Sequence, residues 1–203
     1  MKLKHILQTA GLYLDKVEKS FQLPPENFRE IYLERAQDSI NSGRYDEAIV
    51  LCKKILDVRP NDEEVYYQLG IAYMGAKAPE GAIRSFRTAL KLDPTLVGAH
   101  FRLGVLYDKA GNLDGAIASF KEAINLDPKQ ADFHYTLGLV QDKKKDLEQA
   151  IASFCKAIEL APDVAKYHYR LGLLYDGKGD REKAVEAFKK AVEAEEAEET
   201  QGE

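Results

Sequence analysis

The sequence predicts an all-α chain, a solenoid of five helix–turn–helix repeats preceded by one further amphipathic helix. Three observations carry this expectation. The pair Leu-Gly stands at Leu69-Gly70, Leu103-Gly104, Leu137-Gly138 and Leu171-Gly172, each 34 residues after the last, and a fixed period of that length marks a two-helix unit stacked on copies of itself. When each repeat is counted so that this Gly is its eighth residue, the twentieth residue is Ala in all five: Ala48, Ala82, Ala116, Ala150 and Ala184. The twenty-fourth is Phe in four (Phe86, Phe120, Phe154, Phe188), and Pro60, Pro94, Pro128 and Pro162 close four of the five.

In chain order, residues 1–28 come first. Leu3, Leu7, Ala10, Leu14, Val17 and Phe21 are spaced alternately by four and three, one apolar helical stripe that ends before Pro24-Pro25. The repeats then occupy 29–62, 63–96, 97–130, 131–164 and 165–198. The first has Arg35, Ser39 and Cys52 where the others usually have Leu, Tyr and Phe, but it keeps Tyr32, Gly43, Ala48 and Pro60. Gly at eight and Ala at twenty remove bulk where two helices cross closely, while Phe at twenty-four and Tyr73, Tyr107 and Tyr175 at eleven fill the space beside them. Gly43, Gly111 and Gly179 mark the turn inside a repeat. Asp93-Pro94 and Asp127-Pro128 stop a second helix, because Pro has no amide donor and turns the preceding residue away from helix. At the far end Glu196 replaces the closing Pro, and 199–203 form an acidic tail.

Composition excludes several classes of function. The formal charge of -5 comes from Glu193, Glu195, Glu196, Glu198, Glu199 and Glu203, six negatives that leave the remainder near +1. So neutral a body has no broad electrostatic footprint for nucleic acid, and Lys143, Lys144 and Lys145 read as a solvated turn. No stretch approaches the roughly 18 apolar residues of a membrane span. Lys2 and Lys4 ahead of Ile6 resemble the start of a signal peptide, but Gln8 and Thr9 interrupt the apolar run. Cys52 and Cys155 lie about three repeats apart, too far for an internal bridge, which points to a reducing compartment and a cytoplasmic location.

The Leu-Gly, Ala, Phe and Pro positions together resemble the tetratricopeptide repeat over about five-sixths of the chain. The resemblance implies a curved stack whose concave groove is lined by the first helix of each repeat, at its second, fifth, sixth, ninth and twelfth residues. Carried over by position, the groove holds Leu33, Tyr67, Phe101, Tyr135 and Tyr169 at five, and Gln37, Ile71, Val105, Leu139 and Leu173 at nine. Asp108, Asp142 and Asp176 stand at twelve, with Arg102 and Arg170 at six and Lys166 at two. Such a lining suits an amphipathic helix or an extended peptide with some basic residues. Of the carboxylate clamp found in some co-chaperones of this family only Lys166 and Arg170 match; Phe101, Val105 and Thr136 stand at its other positions.

His100, His134 and His168 recur at the fourth position. Equivalent residues on stacked helices lie roughly 8–10 Å apart, too far to share a zinc ion, so they read as packing residues and no metal or other cofactor is expected. No phosphate loop, nucleophile elbow or acid–base constellation is present in the sequence, and the chain is not expected to be an enzyme. Its expected role is a protein-interaction scaffold, or alternatively a generic adaptor or accessory subunit presenting substrate to an enzyme. Residues 1–28 have two readings: a cap on the first repeat, or a self-association element that enters the groove of another copy and builds a homo-oligomer. Protein partners are expected through the groove, membrane-bound ones among them.

Overall fold

The computed structural model describes residues 25–201, with side chains over 27–197. Among these residues the chain forms ten α-helices and no strand. The first is α1 (Pro25–Asn41), followed by α2 (Tyr45–Val58), α3 (Glu63–Gly75), α4 (Pro79–Leu92) and α5 (Val97–Lys109). Then come α6 (Leu113–Leu126), α7 (Ala131–Lys143), α8 (Leu147–Leu160), α9 (Ala165–Lys178) and α10 (Arg181–Gln201). Within the two bodies described below, α1 with α2, α5 with α6, α7 with α8 and α9 with α10 pack as helical hairpins, the all-α repeat architecture expected. The first helix begins at Pro25 and not after residue 28, since Pro is tolerated in a first turn where amides have no helical acceptor. The apolar stripe from Leu3 to Phe21 lies outside the described residues.

The fold divides into two compact bodies, one up to Ala82 and one from Ile83. In the N-terminal body α1, α2 and α3 enclose Tyr32, Leu33, Ala36, Leu51, Cys52, Ile55, Val65 and Leu69. The departures of the first repeat explain themselves here. Ala36 replaces Gly at position eight and Cys52 replaces Phe at twenty-four, both fully buried, so an added methyl group is matched by the loss of a ring. An ion-pair cluster joins the start of α1 to the start of α3. Arg29 donates to Asp62 at 2.5 and 3.1 Å and to Glu64 at 2.7 Å, while Asp62 caps α3 by accepting from the Val65 amide at 3.1 Å.

The C-terminal body shows the regular packing. The ring at position twenty-four lies against the glycine at position eight: a Cβ on Gly104 would fall 2.7 Å from the Phe120 ring, on Gly138 2.9 Å from Phe154, and on Gly172 2.6 Å from Phe188. Phe120 and Phe154 are buried, as are Ala116 and Ala150. Every hairpin turn uses one left-handed residue at position fifteen. Gly43, Gly111 and Gly179 serve in three repeats, but Lys77 and Lys145 adopt φ values of 57° and 69° in the other two. The following amide bonds back to the carbonyl five residues earlier, as in Asp146 to Gln141 at 2.9 Å and Asp180 to Tyr175 at 2.9 Å, which closes each first helix with a Schellman motif.

The histidines have a structural role. The Nε2 atoms of His100, His134 and His168 sit 3.0, 3.1 and 2.7 Å from the carbonyls of Pro94, Pro128 and Pro162, respectively. A carbonyl only accepts, so each Nε2 carries the proton and ties the loop after a second helix to the helix that follows.

Candidate protein-binding surface

The residues expected in a groove divide into those used in packing and those left exposed. Leu33 is buried in the N-terminal core and offers nothing to a ligand. Tyr67, Gln37 and Ile71 are half-buried on the first helices of the same body.

In the C-terminal body the aromatic ladder also serves as a packing spine. The Phe101 ring stacks on Phe133, the third-position residue of the next repeat, with centroids 4.7 Å apart, and leans on Phe120 at 5.3 Å. Tyr135 repeats the arrangement with Tyr167 at 5.0 Å and Phe154 at 5.6 Å. The Lys166 ammonium sits 5.2 Å from both the Tyr135 and Tyr167 ring centres. Tyr169 comes last and leans on Phe188 at 5.7 Å, with no further ring contact among the described residues; it is 52% exposed.

The ninth and twelfth positions follow the same gradient. Val105 and Leu139 are half-buried, whereas Leu173 is exposed. The Asp108 carboxylate is held by Lys143 from the next repeat at 2.6 and 2.8 Å. Asp142 is half-buried, and Asp176 is exposed, with no ion pair among the described residues. Arg102 is half-buried and Arg170 exposed. Lys166, half of the partial carboxylate clamp, is engaged by Asp132 at 2.8 Å, while Arg170, the other half, is exposed.

Asp132 stands at position two, a groove position like that of Lys166, although it was not among the residues named for the groove. It accepts from Lys166 and from the Tyr167 hydroxyl at 2.9 Å, fastening the fourth repeat to the fifth. The Lys166 bond, aided by Tyr167, holds the Asp132 carboxyl below the ordinary carboxylate range against a smaller opposing effect of desolvation. Burial and the neighbouring carboxylate raise the Tyr167 phenol. The signal in the sequence was an aromatic at position three, Phe133 and Tyr167, recurring beside the aromatic at five.

Among the described residues no three His, Cys, Asp or Glu side chains are grouped to hold a metal ion, and no helix is long and apolar enough to cross a membrane. Burial pushes the Cys52 thiol up to about 12, which makes it inert.

Known proteins match this geometry. Profiles of the tetratricopeptide repeat match residues 40–84, 85–118, 131–164 and 165–198, and a further TPR repeat profile matches 107–145. A comparison with curated protein sequences gives no match. Among solved structures, a crystal structure of MamA is 35% identical, with 81% of this chain and 96% of that one covered and a TM-score of 0.78. A second MamA crystal structure is 34% identical over 86% of this chain and 96% of its own, with a TM-score of 0.80. MamA 41-end from Desulfovibrio magneticus RS-1 is 30% identical over 84% and 96%, with a TM-score of 0.78. With repeat profiles from residue 40 to residue 198 and solved relatives covered over nearly their whole length, the chain belongs to the tetratricopeptide-repeat family and, within it, is MamA-like.

Proposed function

We propose that this protein is a non-catalytic scaffold that holds helical or extended peptides against the exposed end of its first-helix face, and that copies of it assemble through residues 1–28. The repeat family and the MamA-like fold support a protein-interaction scaffold. The observation that carries the finer reading is the gradient along the face. Packing uses Phe101 and Tyr135, while Tyr169, Leu173, Arg170 and Asp176 stay exposed together on α9, an apolar patch with both signs of charge beside it. That composition suits an amphipathic partner segment.

The resemblance to MamA implies the setting: a cytoplasmic scaffold, peripheral on the magnetosome membrane, that recruits membrane-bound proteins. The test compares the full-length protein with a Tyr169→Ala variant, each immobilised and exposed to detergent extract of the native membrane. The variant keeps its melting temperature and loses retained partners by about fivefold or more, the loss of one exposed aromatic anchor. Equal retention moves the binding surface off α9. Tyr135→Ala is the contrast, lowering the melting temperature because its ring lies between Phe154 and Tyr167. A fluorescent fusion that stays diffuse in the native cell removes the membrane assignment and leaves the scaffold reading in place.

A further inference from the structure

The last of the first helices, α9, carries a stripe that its predecessors do not leave open. Lys166, Tyr169, Arg170, Leu173, Asp176 and Gly177 share one face of the helix, and all six are exposed. At the positions of Tyr169, Arg170, Leu173 and Asp176 the residues of α5 and α7 are all half-buried. Beside Tyr169 the stripe borders an open hollow of about 810 Å³ that reaches Phe188, Val192 and Glu195 on α10.

Two features of this stripe have no counterpart in the packing of the chain itself. Gly177 stands at position thirteen, where α5 and α7 have Lys109 and Lys143, and a glycine inside a helix weakens it. The turn does not require it, because the left-handed residue there is Gly179 at φ 82°. At Gly75, the same position of α3, the Tyr45 ring fills the space that a Cβ would take; around Gly177 a Cβ would meet nothing within 4 Å. The second feature is the order of charges. Arg170 and Asp176 stand three residues to either side of Leu173, both exposed. On α7 position six is Thr136, which carries no charge, and on α5 Asp108 is held by Lys143.

We propose that α9 packs antiparallel on α9 of a second copy, about a two-fold axis at Leu173. This rests on the reading of the α9 patch as a protein-binding surface and names one partner for it, the same chain. A two-fold contact needs a surface complementary to itself, and this stripe is one. With the axis at Leu173, positions equally far to either side of it face one another. Arg170 therefore meets Asp176 of the second copy, Asp176 meets its Arg170, and the two Leu173 side chains meet on the axis. Tyr169 lies over Gly177 of the second copy, as Tyr45 lies over Gly75 within one chain, and the missing side chain lets the backbones approach. The contact closes on itself after two copies and does not involve residues 1–28. It covers the patch offered to peptides, so pairing of α9 and peptide capture exclude each other.

The test reads this contact alone, in the full-length protein carrying Cys155→Ser and Leu173→Cys. Cys52 is buried and stays inert. Under mild oxidation two chains link through position 173, which lies on the axis. Adding Arg170→Asp or Asp176→Arg sets like charges against each other at both ends of the contact and lowers linking by about fivefold or more. Mixed in equal amounts, these two variants bring opposite charges together at both ends and recover the linking. Gly177→Leu separates an interface role from a structural one: it raises the melting temperature by improving the helix but fills the seat of Tyr169 and abolishes linking. No linking in the charge-intact protein, undiminished linking in either charge variant, or a mixture no better than its components overturns the proposal. So does a position 173 that links only to a different protein in native extract, which gives the patch to that protein. If linking fails while Tyr169→Ala still loses its partners, the peptide reading stands without this one; linking with unchanged partner retention leaves the α9 pair and removes the peptide.

Discussion

Gly104 and Gly172 occupy the same position in two repeats, yet their substitution by Ala should change stability in opposite directions. At Gly104 the new Cβ meets the Phe120 ring at 2.7 Å, and Phe120 is fully buried with Phe101 packed against it. The ring has nowhere to go, so overpacking costs about 1–3 kcal/mol. Replacing a mid-helix Gly with Ala returns about 0.5–1 kcal/mol, leaving a net loss of about 1–2 kcal/mol. At Gly172 the approach is slightly closer, 2.6 Å to Phe188, but that ring is half-exposed beside the open hollow and can swing outward. The steric cost then falls away and the helix-propensity gain of about 0.5–1 kcal/mol remains. Urea denaturation followed by circular dichroism, with hydrogen exchange resolving α5–α6 from α9–α10, measures both variants. Equal destabilisation by the two would refute the reasoning, since it would mean that the freedom of the facing ring does not decide the outcome.

Lys145→Gly should stabilise the protein by about 0.5–1 kcal/mol, because Lys145 sits at φ 69°, where an L residue is strained by roughly 1–2 kcal/mol and Gly is not; a lower denaturation midpoint would contradict this. Asp62→Ala should cost about 1–3 kcal/mol in the N-terminal body through loss of the α3 cap and of the Arg29 bonds, read as a lower unfolding midpoint. The same residue sets an acid dependence. Burial raises the Asp62 carboxyl, but Arg29 and the Val65 amide outweigh it and hold the group below its ordinary value. Its stabilisation is therefore present above about pH 4 and lost as pH falls through the depressed value. Wild type should lose midpoint on acidification over that range, and Asp62→Ala should be the flatter of the two.

The repeat was legible because its small residues recur: Gly104, Gly138 and Gly172 each leave room for one ring, and a 34-residue period exposes that need. The first repeat was harder to read, since the same space is filled by Ala36 and Cys52 in exchange for Gly and Phe. Position counting placed Tyr135 and Phe101 on first helices but did not show that their rings pack against the next repeat. Whether an aromatic faces a ligand or the next helix depends on what stands opposite, and the third-position rings that cover them belong to another repeat. Asp132 occupies a groove position, but its role as a tie between repeats was not legible for a related reason: its two partners, Lys166 and Tyr167, lie a full period away.

The long side-chain bonds have nearly one length in sequence. Arg29 to Asp62 spans 33 residues, Lys166 to Asp132 spans 34, and Lys143 to Asp108 and Tyr167 to Asp132 span 35. None of these reaches beyond the adjacent repeat, so closing any of them requires about the same short loop and about the same entropy. A chain wired in this way can begin to fold at more than one place, zip toward its ends, and gain or lose a whole repeat in evolution without unmaking the contacts of the repeats that remain.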